Sequence, residues 1–78
     1  MQHLLSSAGH LLHYLTSLRA HIDAGTRTVR IETEDYILEG RAAVERASLD
    51  LKAGRLTRLR IIDSAIGSRD VEVNYLGR

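Results

Sequence analysis

The chain has no cysteine, no proline, no tryptophan and no phenylalanine among its 78 residues. Without cysteine there are no disulfides and no thiolate metal sites, and the redox compartment is left open. Without proline there is no sequence marker for a kink or a rigid linker. Three tyrosines are the whole aromatic complement, so the core must be built from Leu, Ile, Val and Ala. Charge of one sign is also lacking. Eleven Lys and Arg face ten Asp and Glu, a formal net charge of +1. Such a balance lacks the broad basic field of a non-specific nucleic-acid binder. No apolar run approaches the roughly 18 residues of a membrane span. No basic segment precedes the first leucines, so a signal peptide is not expected, and a cytoplasmic location is the default.

A chain of this length is read as a single domain, residues 1–78. A domain this small buries only about 60–65% of the surface its unfolded chain exposes. Small domains commonly gain stability from disulfides, a metal or a partner. With disulfides excluded, self-association is an expectation before any motif is considered. The charges are unevenly placed: residues 1–26 hold one Arg and one Asp, and every other charged residue follows.

Leu4, Ala8, Leu11, Leu15, Leu18 and Ile22 recur at spacings of four and three, the signature of one helical face. Leu5 and Leu12 widen it, and Gly25 suits a C-terminal cap. The spacing predicts a helix over about residues 2–23, lying across a sheet. All four histidines, His3, His10, His13 and His21, fall in it. His10 and His13, three apart, share a side and offer two ligands where a structural zinc wants four. No second His or Cys cluster completes the set, so neither a metal nor a cofactor is expected. Ser6, Ser7 and His10 supply a hydroxyl and a base without an orienting group, and no Gly-rich phosphate loop is present. Catalysis is not expected.

From about residue 27 to 76 the pattern changes to alternation. Thr28 to Thr33, Tyr36 to Val44, Ser48 to Lys52, Leu56 to Asp63 and Val71 to Tyr75 read as five strands. Glu34-Asp35 reads as a turn, Ala53-Gly54-Arg55 as a hairpin turn, and Ser64 to Gly67 as a bend. The stretch from Ala42 to Arg46 also suits a helical turn. Gly40, inside the second strand, marks a sharp bend that lets a short meander curl into a small barrel. The expected fold is therefore α+β, an N-terminal helix followed by a strongly bent, five-stranded antiparallel sheet.

This cadence resembles the Sm-like family, and its Hfq-like branch in particular. Val29-Arg30-Ile31 is similar to the family's first strand and Leu38-Glu39-Gly40-Arg41-Ala42 to its Leu-x-Gly-x-hydrophobic second. Leu49-Asp50-Leu51 falls at the spacing of the third strand. Leu59 to Ile66 is similar to the fourth strand and its link to the fifth. The resemblance implies a small barrel that assembles into a ring of six or seven copies and binds single-stranded RNA. It places Leu59, Ile61, Val71, Val73 and Tyr75 at the oligomer interface. The RNA-binding candidates are the cations of the strongest hairpin, Lys52, Arg55, Arg58 and Arg60, with Tyr36 as the aromatic for stacking. The sequence departs from the family at the ligand positions: Ala47 and Ser48 stand at the stacking pair, and Ile62, Asp63 and Ser64 at the basic and histidine positions. The alternative reading is a small protein-interaction or structural protein, such as a phage or mobile-element component, whose partner is another protein and which has no role with nucleic acid.

Overall fold

The computed structural model describes residues 2–76, with side chains from Leu4 onward. The side chain of His3 therefore lies outside the described residues. Seven elements follow one another: β1 (Gln2–Ser7), α1 (Ala8–Asp23), β2 (Val29–Glu32), β3 (Ile37–Glu39), α2 (Gly40–Lys52), β4 (Arg58–Asp63) and β5 (Gly67–Asn74). The strands form one open mixed sheet in the order β1-β5-β4-β2-β3. β1 runs parallel to β5, with Leu4 opposite Val71, and the other pairs are antiparallel.

This order overturns the closed antiparallel barrel expected above. A strand precedes the first helix, and a second helix replaces the middle of the expected meander. The physical reasons are local. Leu4 falls on the same spacing as the α1 stripe, but Ser7 stops the helix from extending back to it. Ser7 is extended, and its Oγ accepts the His10 N–H at 3.1 Å, capping α1. Ahead of that cap, residues 2–7 pair with β5. In the second region, Ala43, Val44, Ala47 and Leu51 lie on one helical face and are buried. The alternation from Ser48 to Lys52 is a coincidence of helical spacing, because Asp50 is buried beside Leu51 and Leu49 is exposed.

Gly40 does permit a sharp change of direction, at φ +66°, but it turns the end of β3 into α2 rather than bending a strand. Gly25, at φ +74°, closes α1 as expected: the Thr26 N–H reaches the His21 carbonyl at 2.9 Å and the Gly25 N–H the Ile22 carbonyl at 3.0 Å. The same pair of bonds ends α2, from Arg55 to Asp50 and from Gly54 to Leu51. Ala53-Gly54-Arg55 is thus a helix end, not a hairpin turn.

Both helices pack on one face of the sheet, α1 over β1 and β5 and α2 over β2 and β3, and they touch each other. The core lies between these layers. Leu11, Leu15 and Leu18 of α1 meet Val44, Ala47 and Leu51 of α2 above Val29, Ile31, Leu59, Ile61 and Val71. β4, the strongest strand of the sequence, is the middle of the sheet. Strand alternation sends Arg58, Arg60 and Ile62 to the opposite face, which no element covers among the described residues. No helix is long and apolar enough to cross a membrane among the described residues.

Candidate interaction surface

The uncovered face is a lattice of opposite charges. Its alternating positions bring Asp70 and Glu72 from β5, Arg58 and Arg60 from β4, Arg30 and Glu32 from β2 and Glu39 from β3 side by side. Arg60 Nε lies 2.9 Å from Asp70 and its Nη1 3.7 Å from Glu32. Arg30 lies 3.0 Å from Glu32 and 3.9 Å from Glu39. The row Asp70, Arg60, Glu32, Arg30, Glu39 therefore crosses four strands with its signs alternating. The hydrogen bond and charge of Asp70 raise the pKa of Arg60 further above its ordinary value. A shallow depression of about 500 Å³ lies on this face, bordered by Glu32, Glu34, Arg58, Arg60, Asp70 and Glu72.

The expected RNA-binding residues do not converge. Arg58 and Arg60 share the uncovered face, where Arg60 is already bonded to two carboxylates. Lys52 projects from the last turn of α2, and Arg55 follows that helix and holds Asp50 at 3.2 Å. Tyr36 is half-buried, with the Arg46 guanidinium 4.6 Å above its ring, so its face is occupied from within the chain. Tyr14 bonds Asp63 at the helix-covered side, and Tyr75 donates to the Leu56 carbonyl at 2.6 Å. The uncovered face thus has no tyrosine on which a base could stack.

The residues expected at an oligomer interface lie in and around the core. Leu59, Ile61 and Val71 are buried, and Val73 and Tyr75 pack partly buried against them. His10 and His13 are exposed on α1, and His21 Nδ1 lies 2.9 Å from Thr26 Oγ1. No group of three or more His, Asp or Glu able to hold a metal is present among the described residues.

Two buried carboxylates were hidden in the sequence. Asp63 is 2% exposed. Its Oδ2 accepts the Tyr14 hydroxyl at 2.8 Å and faces Arg27 at 3.6 Å, and its Oδ1 accepts the Ala65 N–H at 2.8 Å. Burial, then the bond to Asp63 and its charge, push the Tyr14 pKa up to about 12. Strand parity was the available signal, since Leu59, Ile61 and Asp63 share the apolar face. Asp50 is the second, held by Arg46 at 3.3 Å and Arg55 at 3.2 Å. Both clusters tie elements of one chain together: α1 to the β4–β5 turn, and α2 to the loop that follows it.

The two ends of the sheet differ in a way that bears on partners. β3 has only three residues, ends in Glu39, is preceded by Glu34-Asp35-Tyr36, and passes directly into α2. These are the devices that blunt an edge. β1 has six residues, none of them Asp, Glu, Lys, Arg or Pro. Leu4 is 38% and Leu5 69% exposed. No strand pairs with the outer side of β1 among the described residues. Comparison of the chain with protein-family models, with curated proteins and with solved structures returns no match.

Proposed function

We propose that the chain is a small protein-interaction module that works as a homo-oligomer, with its sheet as the element that associates. The observation that carries this reading is the end strand β1. It has six residues, none of them Asp, Glu, Lys or Arg, and bears two exposed leucines. An edge of this kind offers main-chain hydrogen bonds to another chain and has none of the features that discourage pairing. The size of the domain agrees, because a small core gains stability from a partner.

RNA as the ligand has less support. Single-stranded nucleic acid is held by cationic grooves with aromatic platforms. Here the central arginines are bonded to carboxylates and the tyrosines lie elsewhere. Sedimentation equilibrium of the purified chain over a range of concentrations tests the reading. A reversible oligomer is expected, with its mass rising with concentration. A monomer at every concentration contradicts it. Fluorescence anisotropy with labelled oligo-U and oligo-A at low salt, where phosphate contacts are strongest, is expected to show no binding.

A further inference from the structure

We infer that the outer face of α2 is a docking surface for an acidic, leucine-bearing segment of another protein. This face lies over β2 and β3, at the far end of the sheet from β1. It therefore goes beyond the association through the sheet and does not depend on it.

Helical spacing builds the surface. Ala43, Ala47 and Leu51 are buried against the core, which turns Leu49 outward, and it stands 62% exposed. Arg46 and Lys52 lie three residues before and after it, the spacing of neighbours on a helix surface. Arg55, just past the helix, joins Arg46, because both bond the same carboxylate. Asp50 receives Arg46 at 3.3 Å and Arg55 at 3.2 Å. One exposed leucine thus stands among three cations.

The charges on this face do not cancel. Asp50 is buried and offsets only one of its two arginines, whose side chains stay 48% and 70% exposed. Glu45, the other carboxylate of α2, is likewise shared by two arginines, Arg41 at 3.0 Å and Arg19 at 3.6 Å. Lys52 is exposed and has no ion pair among the described residues. On the uncovered sheet face the balance is reversed, and carboxylates outnumber arginines. Asp50 also holds the Arg46 and Arg55 guanidinium groups in place, and Arg46 rests on the Tyr36 ring. Guanidinium groups fixed in this way lose little freedom on meeting a carboxylate, their matched partner.

The chemistry of the patch narrows its occupant. A single-stranded nucleic acid would bring phosphates but would need an aromatic platform, and Tyr36, beside this surface, has its ring face taken by Arg46 and its hydroxyl buried. An anionic membrane is held by about four to eight clustered cations or by a helix with a broad apolar face. The exposed side of α2 has one large apolar side chain, Leu49. A protein segment with Asp or Glu beside an apolar residue meets both the cations and the leucine.

Fluorescence anisotropy with a short labelled peptide alternating Glu and Leu tests the proposal. Binding is expected, weaker at high salt, and tighter than that of a Glu-Ser control peptide or of labelled oligo-U. Vesicles of phosphatidylserine and phosphatidylcholine are expected not to sediment the protein. Lys52→Glu and Leu49→Ser should each weaken peptide binding about tenfold or more, with unchanged circular dichroism spectra. Arg58→Glu, on the uncovered face, should leave binding as it was. The proposal is overturned by no binding, by equal binding of the two peptides, by tighter binding of oligo-U or capture on vesicles, or by Lys52→Glu and Leu49→Ser binding like the wild type. A wild type that is monomeric yet binds the peptide overturns association through the sheet and supports this surface.

Discussion

The two halves of this domain use the same parts to different ends. Each half has one helix, one buried aspartate, one tyrosine and at least one arginine near it. In the α1 half, Asp63 is sealed at 2% exposure and bonded by a tyrosine hydroxyl, a backbone N–H and Arg27. In the α2 half, Asp50 is held by arginines whose side chains are 48% and 70% exposed, and the Tyr36 hydroxyl is buried without a hydrogen-bond partner. The edges are reversed. The half with the sealed carboxylate ends in the unguarded β1, and the looser half ends in the guarded β3. The more tightly tied carboxylate and the less guarded edge therefore lie on the same side of the sheet.

The comparison breaks most visibly at the carboxylates. Asp63→Ala strands Arg27 and the Tyr14 hydroxyl, and is expected to cost about 3–5 kcal/mol, the range for breaking a buried pair. Asp50→Ala should cost clearly less, since water reaches both of its arginines. Urea unfolding of the two variants checks the order, and equal losses would erase the asymmetry. Next come the tyrosines. Tyr14→Phe removes a hydrogen bond to a buried carboxylate and is expected to cost about 1–3 kcal/mol. Tyr36→Phe removes a hydroxyl that has no partner, so stability should be unchanged or slightly higher.

Alkaline titration sharpens the same contrast. The pKa of the folded Tyr14 is pushed up to about 12, from the 10.0 of a free tyrosine. Its contribution to stability is therefore fully present below pH 10 and lost as the pH rises from 10 towards 12. Thermal unfolding across that window should show the decline in the wild type and a shallower one in Tyr14→Phe. The smallest expected effect is on the edge. Leu5→Lys, at a 69% exposed position, should shift the monomer's stability by no more than about 0.5 kcal/mol.

Much of this architecture was legible from residue spacing. Leu11, Leu15 and Leu18 with Gly25 defined most of α1, and alternation found β2, β4 and β5 within a few residues. What was misread has a common cause: short segments where two periods coincide. Leu4 fits both the helical stripe and an edge strand, and only the Ser7 cap decides between them. Leu49-Asp50-Leu51 alternates like a strand, yet Ala43 and Ala47, too small to stand out as core, mark the helical face. The charged surface was partly visible in Arg58 and Arg60, but their partners Asp70 and Glu32 come from strands distant in sequence. The outer position of β1 could not be read, because it follows from the parallel pairing with β5, a contact between the two ends of the described chain.

The account turns on the unequal edges, and sedimentation equilibrium of three proteins tests that most directly: the wild type, Leu5→Lys on β1 and Ile37→Lys on β3. Leu5 and Ile37 are both exposed leucine-sized side chains on end strands, 69% and 58%, so the substitutions are matched. At one concentration the wild type and Ile37→Lys are predicted to sediment with the same oligomeric mass and Leu5→Lys with a lower one. Dissociation by Ile37→Lys with Leu5→Lys unaffected, or one and the same mass for all three, would contradict the account.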